Sequence, residues 1–543
     1  MFSEPMVGEK FFGREEMLEL LNKRVMALKD GYRQNIALTG QSLTGKSSII
    51  LHFLRMVKED GFIPIYIEVI REPFRSFSNK FIATMLYNSL SKTEEVTDID
   101  LENLLNRSQK AFPKTHLAIK GINSSIEKGD FEDAYSNLLG LTTVLKNETG
   151  LSCIVIFDEF DNLEHLGVKN PFLSFGKVIM VQKDTMYIVS SSRDAAIKKI
   201  LSEKLSLLFG NFEVLKISNF DPDTAGEFIN MKLAGFDIEG PLEEFLIAFT
   251  DGNPFYLNAL ASKAKGMAME RMSSYIDIDT ITHSIVELVY SANGIIHQYL
   301  MNFILDHLDT KHRDTQISIL TAIADCLNKQ SDIARVLKSK RGEVIKRMAY
   351  LMESGMISKN GVFYVIDDAM LSFWLKFVYK RRKEILVDGT FDKTGLFEED
   401  IKSYIANFSS EFKKTAIERI AELFNRFSNE LVQVESKHIR LPHFTKVEIR
   451  QFQDSRPFIA ASFRGSFWCV TPYEHPVSEN DIINCIKNTK AIGVKISNRV
   501  IAPLKGIDEN AKLLAKELRF SIWDRAAINE LLGFYGKQRI VLL

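Results

Sequence analysis

An α/β fold built on a parallel sheet is predicted for this chain by three features of its sequence. Asn35–Thr39 is an apolar run that breaks at Gly40 and passes through small polar residues. It meets Gly45-Lys46-Ser47 just ahead of a helical stretch, Ser48–Met56. Farther on, SCIVIFDEFDNL (152–163) carries five apolar residues followed by Asp158 and Glu159. Additional strand-like runs at Ile63–Val69, Met186–Val189 and Glu213–Ile217 alternate with helical sequence. Continuous apolar runs of this length suit strands covered on both faces, as parallel strands are.

The first feature fits G-x-x-x-x-G-K-[ST], with Gly40, Gly45, Lys46 and Ser47 in the fixed places. Glycines permit backbone angles and close approaches that a Cβ would block. The N–H groups of Gly40, Gln41, Ser42, Leu43, Thr44, Gly45, Lys46, Ser47 and Ser48 can then converge on a phosphate chain. The positive end of the following helix favours the same anion. In this pattern Lys46 reaches the β- and γ-phosphates and the Ser47 hydroxyl holds Mg²⁺. The expected ligands are therefore ATP or ADP and Mg²⁺.

The second feature supplies the acids such a loop requires. Open α/β sheets place ligands at the carboxyl ends of their strands. There Asp158 would hold the Mg²⁺ shell, and Glu159 would orient and deprotonate the attacking water. Asp161 is expected either to support these two or to cap the next helix. The strand at 186–189 ends in YIVSSSRD, which brings Ser191, Ser192 and Arg193 to the same edge, with Arg193 as a candidate γ-phosphate sensor.

At 543 residues the chain has room for three or four domains, and 45% hydrophobic with 26% charged residues is ordinary for globular protein. A net charge of −1 excludes a uniformly basic nucleic-acid coat but not a local patch. No apolar run approaches the ~18–20 residues of a membrane helix, and the start lacks a signal-peptide layout, so the expected location is cytoplasmic. Cys153, Cys326, Cys469 and Cys485 fall singly among apolar residues and are expected to be reduced core residues.

Between the first two features, Ser91–Asp130 is polar and reads as a helical excursion outside the sheet. From Phe220 onward helices dominate: Asp223–Lys232, Pro241–Phe249, and one after Gly252-Asn253-Pro254. Asp279–Leu308 reads as one long amphipathic helix. Helices at Thr315–Leu327, Ser331–Leu337 and Glu343–Ser354 come next, then GMISKNGVFYVID, a hairpin turning at Asn360-Gly361. Three helices and a hairpin make a winged helix, whose third helix enters the major groove. Lys338, Lys340, Arg341, Lys346 and Arg347 cluster at that helix and are the candidate DNA contacts.

Together these motifs resemble the archaeal ATPase family within the STAND branch of AAA+-like P-loop ATPases. Order and spacing match from about Phe11 to Leu257. The resemblance implies that Phe12, Gly13 and Arg14 of FFGRE line the adenine side, and that Pro254 of Gly-Asn-Pro packs on adenine. It also implies that the strand-end Ser-Ser-Arg senses the γ-phosphate. Where that family tends to carry an arginine near Phe209-Gly210, this chain has Asn211. The last part alternates a helix at Glu411–Glu430 with strands near Val447–Phe452, Ile459–Phe463, Trp468–Thr471, Val500–Pro503 and Phe520–Trp523, and helices at Glu479–Thr489 and Glu509–Leu518. It is similar to the restriction-endonuclease fold. A live site of that kind needs an Asp and then an acid-x-lysine on adjacent strands; neither Ile459–Phe463 nor Trp468–Thr471 offers them. Glu435-Ser436-Lys437 has the right letters but comes too early, and Glu418 could supply one carboxylate.

The expected division is a P-loop ATPase core over 1–219, a helical lid over 220–277, a linker helix with winged helix over 278–382, and a catalytically degenerate nuclease-like domain over 383–543. The expected function is a Mg²⁺-ATP switch coupled to DNA binding, with a protein partner or self-association also compatible. The rivals are an ATP-controlled scaffold for protein partners and an ATP-regulated nuclease.

Overall fold

The computed structural model describes residues 4–57, 61–93, 95–205, 210–383, 394–434 and 437–540. Its chain divides into two compact units, meeting in sequence at Ser218 and Asn219.

The first unit is built on β1 (Asn35–Thr39), β2 (Ile63–Glu68), β3 (Cys153–Asp158), β4 (Thr185–Ser191) and β5 (Phe212–Lys216). The order across the sheet is β2-β3-β4-β1-β5, and every pairing is parallel. Every residue of β1, β3 and β4 is buried, which explains their unbroken apolar runs. Successive side chains serve opposite faces. Ile36, Leu38, Ile154, Ile156 and Ile188 pack on helices Glu15–Lys29 and Lys46–Val57 through Leu21, Val25, Ile49 and Phe53. Ala37, Val155, Phe157 and Val189 face Phe77, Phe81, Tyr135 and Leu138 on the other side. Burying one such aromatic contributes about 2–3 kcal/mol. The polar stretch expected at 91–130 forms helices Leu101–Ala111 and Pro113–Glu127, and Phe131–Thr149 follows it; buried residues of all three join that second face.

The second unit begins with helices Pro222–Lys232, Gly240–Thr250 and Pro254–Glu270, with two-residue strands β6 (Asp237–Ile238) and β7 (Tyr275–Ile276) between and after them. The long helix expected at 279–308 is divided: helix Ile278–Ile285 continues as a π-helical turn over Val286–Tyr290, and Ile295–His307 is separate. The chain breaks at Gly294, where a Cβ would stand 2.4 Å from the Leu288 carbonyl oxygen. Helices Arg313–Ala324, Gln330–Val336 and Arg341–Glu353 precede the hairpin of β8 (Ile357–Asn360) and β9 (Phe363–Ile366). Asn360 pairs with Phe363, so the two-residue turn is Gly361-Val362, one residue later than expected.

The expected helix over 411–430 is likewise divided. Thr394–Phe412 ends, and Thr415 starts Ala416–Phe424 through a reciprocal cap with Glu418. The hairpin of β10 (Glu430–Val434) and β11 (Lys437–Leu441) comes next. Glu435 and Ser436 lie outside the described residues, as does Phe209. Then β12 (Lys446–Gln451), β13 (Pro457–Phe463), β14 (Ser466–Tyr473), β15 (Ile496–Pro503) and β16 (Ser521–Ile522) lie side by side in that order. The first two pairings are antiparallel and the last two parallel. Helices cover both faces of this mixed sheet: Ala416–Phe424 and Arg525–Phe534 on one, Glu479–Ala491 and Glu509–Glu517 on the other. Cys153, Cys469 and Cys485 are buried thiols, but Cys326 is exposed in the turn after Arg313–Ala324 and is not a core residue. Among the described residues, no helix is long and apolar enough to cross a membrane.

Candidate nucleotide-binding site

Because β1, β3 and β4 run parallel, their carboxyl ends deliver the loop 40–45, Asp158-Glu159 and Ser190–Arg193 to one edge of the sheet. Gly40 is required there by the protein itself: a Cβ would lie 2.2 Å from the Ile217 carbonyl oxygen beside the end of β5. Gly45 differs. Its φ is +95°, and a Cβ would meet nothing within 4 Å, so the loop opens outward at that point. Leu43 also takes a left-handed backbone, φ 63°. Thr44 Oγ1 donates to the Gln41 carbonyl at 2.9 Å and draws the loop closed.

Lys46 is buried, and its Nζ donates to the carbonyls of Gly40 at 2.8 Å and Gln41 at 2.7 Å. Burial lowers its pKa, against the pull of the Glu159 and Asp158 carboxylates. Ser47 Oγ donates to Asp158 Oδ2 at 2.7 Å across 111 positions of sequence. Two further hydroxyls, for which the sequence motifs gave no signal, hold the same carboxylate. Tyr66 donates to Oδ2 at 2.9 Å from β2, and Ser190 donates to Oδ1 from β4. Their positions result from the strand order, which sets β3 between β2 and β4.

Glu159 sits in a left-handed conformation, φ 55° and ψ 49°. Its carboxylate accepts from the Ser192 N–H at 3.1 Å and from the Ser192 hydroxyl. Burial raises its pKa, with neighbouring Asp158 and Asp161 adding to the rise and Lys46 opposing it. Asp161 caps no helix. It lies inside the short 3-10 helix Phe160–His165, accepts from Ser191 Oγ at 2.7 Å and pairs with the Arg193 guanidinium.

Of the residues expected on the adenine side, Gly13 and Arg14 have positive φ, and the Arg14 guanidinium donates to the Ser218 carbonyl. Phe12 is half-buried beside them. The preceding Phe11 stacks on His52 of the loop helix, ring centroids 4.2 Å apart, and Met6 N–H donates to Ser48 Oγ at 3.0 Å. This terminal segment thus lies along the helix after the loop. Pro254 belongs to the second unit, at the first turn of Pro254–Glu270, where Asn253 caps the helix by accepting from Phe255 N–H at 3.0 Å.

The basic cluster is also in the second unit. Lys338, Lys340, Arg341 and Lys346 are exposed, but Arg347 is half-buried and its Nε lies out of water, so it flanks the open face of its helix. None of the five makes an ion pair with a described residue.

The site accepts the implied ligand set. Ser47 Oγ and Asp158 Oδ2 are hard oxygen donors, and neighbouring ligands of an octahedral Mg²⁺ lie about 3 Å apart, close to their separation. The open space at Gly45 and the lysine turned over the loop are where phosphate oxygens would replace the loop carbonyls as Lys46 partners.

No protein-family model matches the sequence, and no curated protein matches it. Among solved structures the chain is similar to the Walker-type ATPase paby2304 of Pyrococcus abyssi. That match has 18% identity and a TM-score of 0.47, covering 69% of this chain and 99% of that one. The ORC2 protein of Aeropyrum pernix, solved in ADPNP–ADP complexes, matches at 11% identity and TM-score 0.45, covering 70% and 98%. The RuvB Holliday junction branch migration motor of Thermotoga maritima matches at 13% identity and TM-score 0.33, covering 70% and 99%. Likeness at this level assigns no chemistry to the chain.

Proposed function

We propose that this protein is a Mg²⁺-dependent, ATP-hydrolysing molecular switch of the STAND and AAA+-like kind. The observation that carries the reading is the Ser47–Asp158 contact at the mouth of the glycine loop, beside Lys46 and Glu159. Bound Mg²⁺ would neutralise charge on the β- and γ-phosphates. Lys46 and the N–H groups of Gly40–Ser48 hold the phosphates. Ser47 and Asp158 hold the metal, with Tyr66 and Ser190 fixing the aspartate's orientation. Glu159, fixed by Ser192, takes the proton of the attacking water. Phosphate release by the wild type against Lys46→Ala and Glu159→Gln tests this reading.

Arg193 is the proposed reporter of the γ-phosphate, and its guanidinium is paired with Asp161. A ligand biases two states only through contacts that differ between them. Arg193→Ala should therefore narrow the difference between ATP- and ADP-bound conformations more than it weakens ADP binding. Protease-digestion patterns that separate ATP from ADP as sharply as in the wild type would exclude the role.

The division into core (1–219), lid (220–277), winged-helix region (278–382) and nuclease-like domain (383–543) belongs to this proposal, as does a Pro254 contact with adenine. So does coupling to DNA, which the exposed Lys338, Lys340, Arg341 and Lys346 support. Lys346 is central on the exposed face of Arg341–Glu353. Charge reversal at Lys346 and Arg347 should weaken duplex binding and flatten its salt dependence, by about 0.9 in log–log slope for each lost phosphate contact. Unchanged affinity and slope would favour the rival in which ATP controls assembly with protein partners or further copies of the chain.

The nuclease rival is disfavoured by where the acids of the last region are engaged. Glu418 is held in the Thr415 cap. Asp454 lies in the turn between β12 and β13, accepting from Asn488 at 2.7 Å. Glu474 comes directly after β14 and is exposed. A hard cation needs several oxygen ligands converging on one point. The protein is expected to leave duplex DNA uncut with Mg²⁺ or Mn²⁺, with or without ATP. Metal-dependent cleavage lost on mutating Asp454 or Glu474 would overturn that reading.

A further inference from the structure

Away from the glycine loop, the second unit contains a cavity of about 390 Å³. Small-ligand sites span roughly 300–1,000 Å³. Six ionisable side chains face it: Glu244, Lys413, Lys414, Arg419, Glu474 and Lys505. Four of these are cationic and two anionic, in a chain whose net charge is only −1.

Two of the six are buried with donors or acceptors left over. Arg419, 9% exposed, donates from Nη2 to the carbonyls of Gln538 at 2.6 Å and Arg539 at 2.8 Å. No described residue accepts a hydrogen bond from its Nε or Nη1. Glu244, on helix Gly240–Thr250, is 8% exposed and has neither a hydrogen bond nor an ion pair among the described residues. Burial raises its pKa to about 7, against the pull of the Arg419 charge, so near neutral pH the carboxyl exchanges a proton and has an open place for a hydrogen-bonding partner. At the mouth, Lys413 is exposed and has no ion pair with a described residue, whereas Lys414 is occupied by Glu411 at 2.8 Å and Glu422 at 2.6 Å.

We propose that this cavity binds a small phosphate ester carrying a hydroxyl or amino donor. The phosphate faces the Lys413 ammonium and the free N–H groups of Arg419; the donor group satisfies Glu244. Inorganic phosphate near neutral pH offers Glu244 only the P–OH of the anion itself, whereas an ester adds a separate donor beyond the phosphate, so an ester is preferred. A ligand seated there joins helix Gly240–Thr250 to helix Ala416–Phe424. The proposal does not depend on the nucleotide reading of the glycine loop.

The test is calorimetric titration of the full chain carrying Lys46→Ala, so that the glycine loop does not contribute. The probes are ribose 5-phosphate, AMP and inorganic phosphate. Ribose 5-phosphate or AMP should bind saturably and about tenfold or more tighter than inorganic phosphate; whichever binds tighter tells a sugar phosphate from a nucleotide. Adding Lys413→Glu, an exposed change, should weaken the ester by about tenfold or more, the loss expected for one charge-assisted contact. Adding Glu244→Leu should weaken the ester toward inorganic phosphate while leaving inorganic phosphate no weaker, because the change removes an anion beside Arg419. No saturable binding of any probe, inorganic phosphate as tight as both esters, or ester affinity within about twofold in both variants would overturn the proposal.

Discussion

Glu159→Gln is expected to keep ATP binding and to lower turnover about 10²–10⁴-fold, the usual loss when one positioned proton acceptor is removed. Glutamine keeps the size of the side chain and the contacts to Ser192, but it cannot take the proton. Burial raises the pKa of the native carboxylate, against the pull of Lys46, and a raised pKa makes it a better proton acceptor. Its left-handed backbone is a strained position held by the surrounding structure, as is common where geometry serves chemistry. Lys46→Ala should fail differently, abolishing tight ATP binding because the phosphates lose the buried cation at the loop. Phosphate release and nucleotide fluorescence, measured on both variants, separate the two effects. Unchanged turnover in Glu159→Gln would reassign the base.

A second large effect is expected at the hairpin of β8 and β9. Gly361 has φ +59°, and a Cβ there would stand 1.8 Å from the Leu431 carbonyl oxygen. That closeness lets the hairpin tip pair with β10. Val362 N–H donates to Leu431 O at 3.1 Å, while Asn360 accepts from Gln433 N–H at 2.6 Å and donates to Gln433 O at 2.9 Å. Phe363 stacks on Phe534, and Lys329 pairs with Glu430 at 2.8 Å, extending the same junction. Gly361→Ala therefore adds an unfavourable backbone angle to a clash with main chain that cannot move aside. A loss of about 2–4 kcal/mol is expected. It should appear as a lower denaturation midpoint of the second unit, with the hairpin and β10 losing amide-exchange protection first. Wild-type stability and protection would mean that the two hairpins are not coupled. The junction also bears on the proposed DNA contact: the hairpin tip is already occupied by β10, whereas helix Arg341–Glu353 keeps an exposed face.

The glycine loop, the acidic strand and the strands around them are legible in the sequence because each rests on a short run of adjacent residues: apolar, then glycine, lysine and hydroxyl, or apolar, then acids. Contacts made by strand order are not legible. Nothing in IPIYIEV says that Tyr66 reaches Asp158, and Ser190 cannot be told from Ser191 or Ser192 without the register of β4. Asp161 admits two readings from sequence; its place inside the 3-10 helix excludes the cap, and its contacts with Ser191 and Arg193 depend on the register of β4. The motif assigns Gly40 to freeing the loop for a phosphate, whereas the nearest obstacle to a Cβ is Ile217. Farther along, periodicity overruns real breaks. The apolar pattern continues through Gly294 and through Thr415, and a close backbone approach at one and a capping box at the other interrupt the helices. The hairpin of β10 and β11 does show the period-2 alternation of a strand at Glu430–Val434, but over only five residues directly after helical sequence.

The central claim is that the glycine loop and Asp158 together hold a nucleoside triphosphate with its metal. Calorimetric titration of ATP into the full chain, with Mg²⁺ and then with EDTA in its place, tests it most directly, repeated on Ser47→Ala. Saturable binding that Mg²⁺ strengthens in the wild type, with that increment lost in Ser47→Ala, is the predicted result. Absence of saturable binding, or binding that neither EDTA nor Ser47→Ala alters, would contradict it.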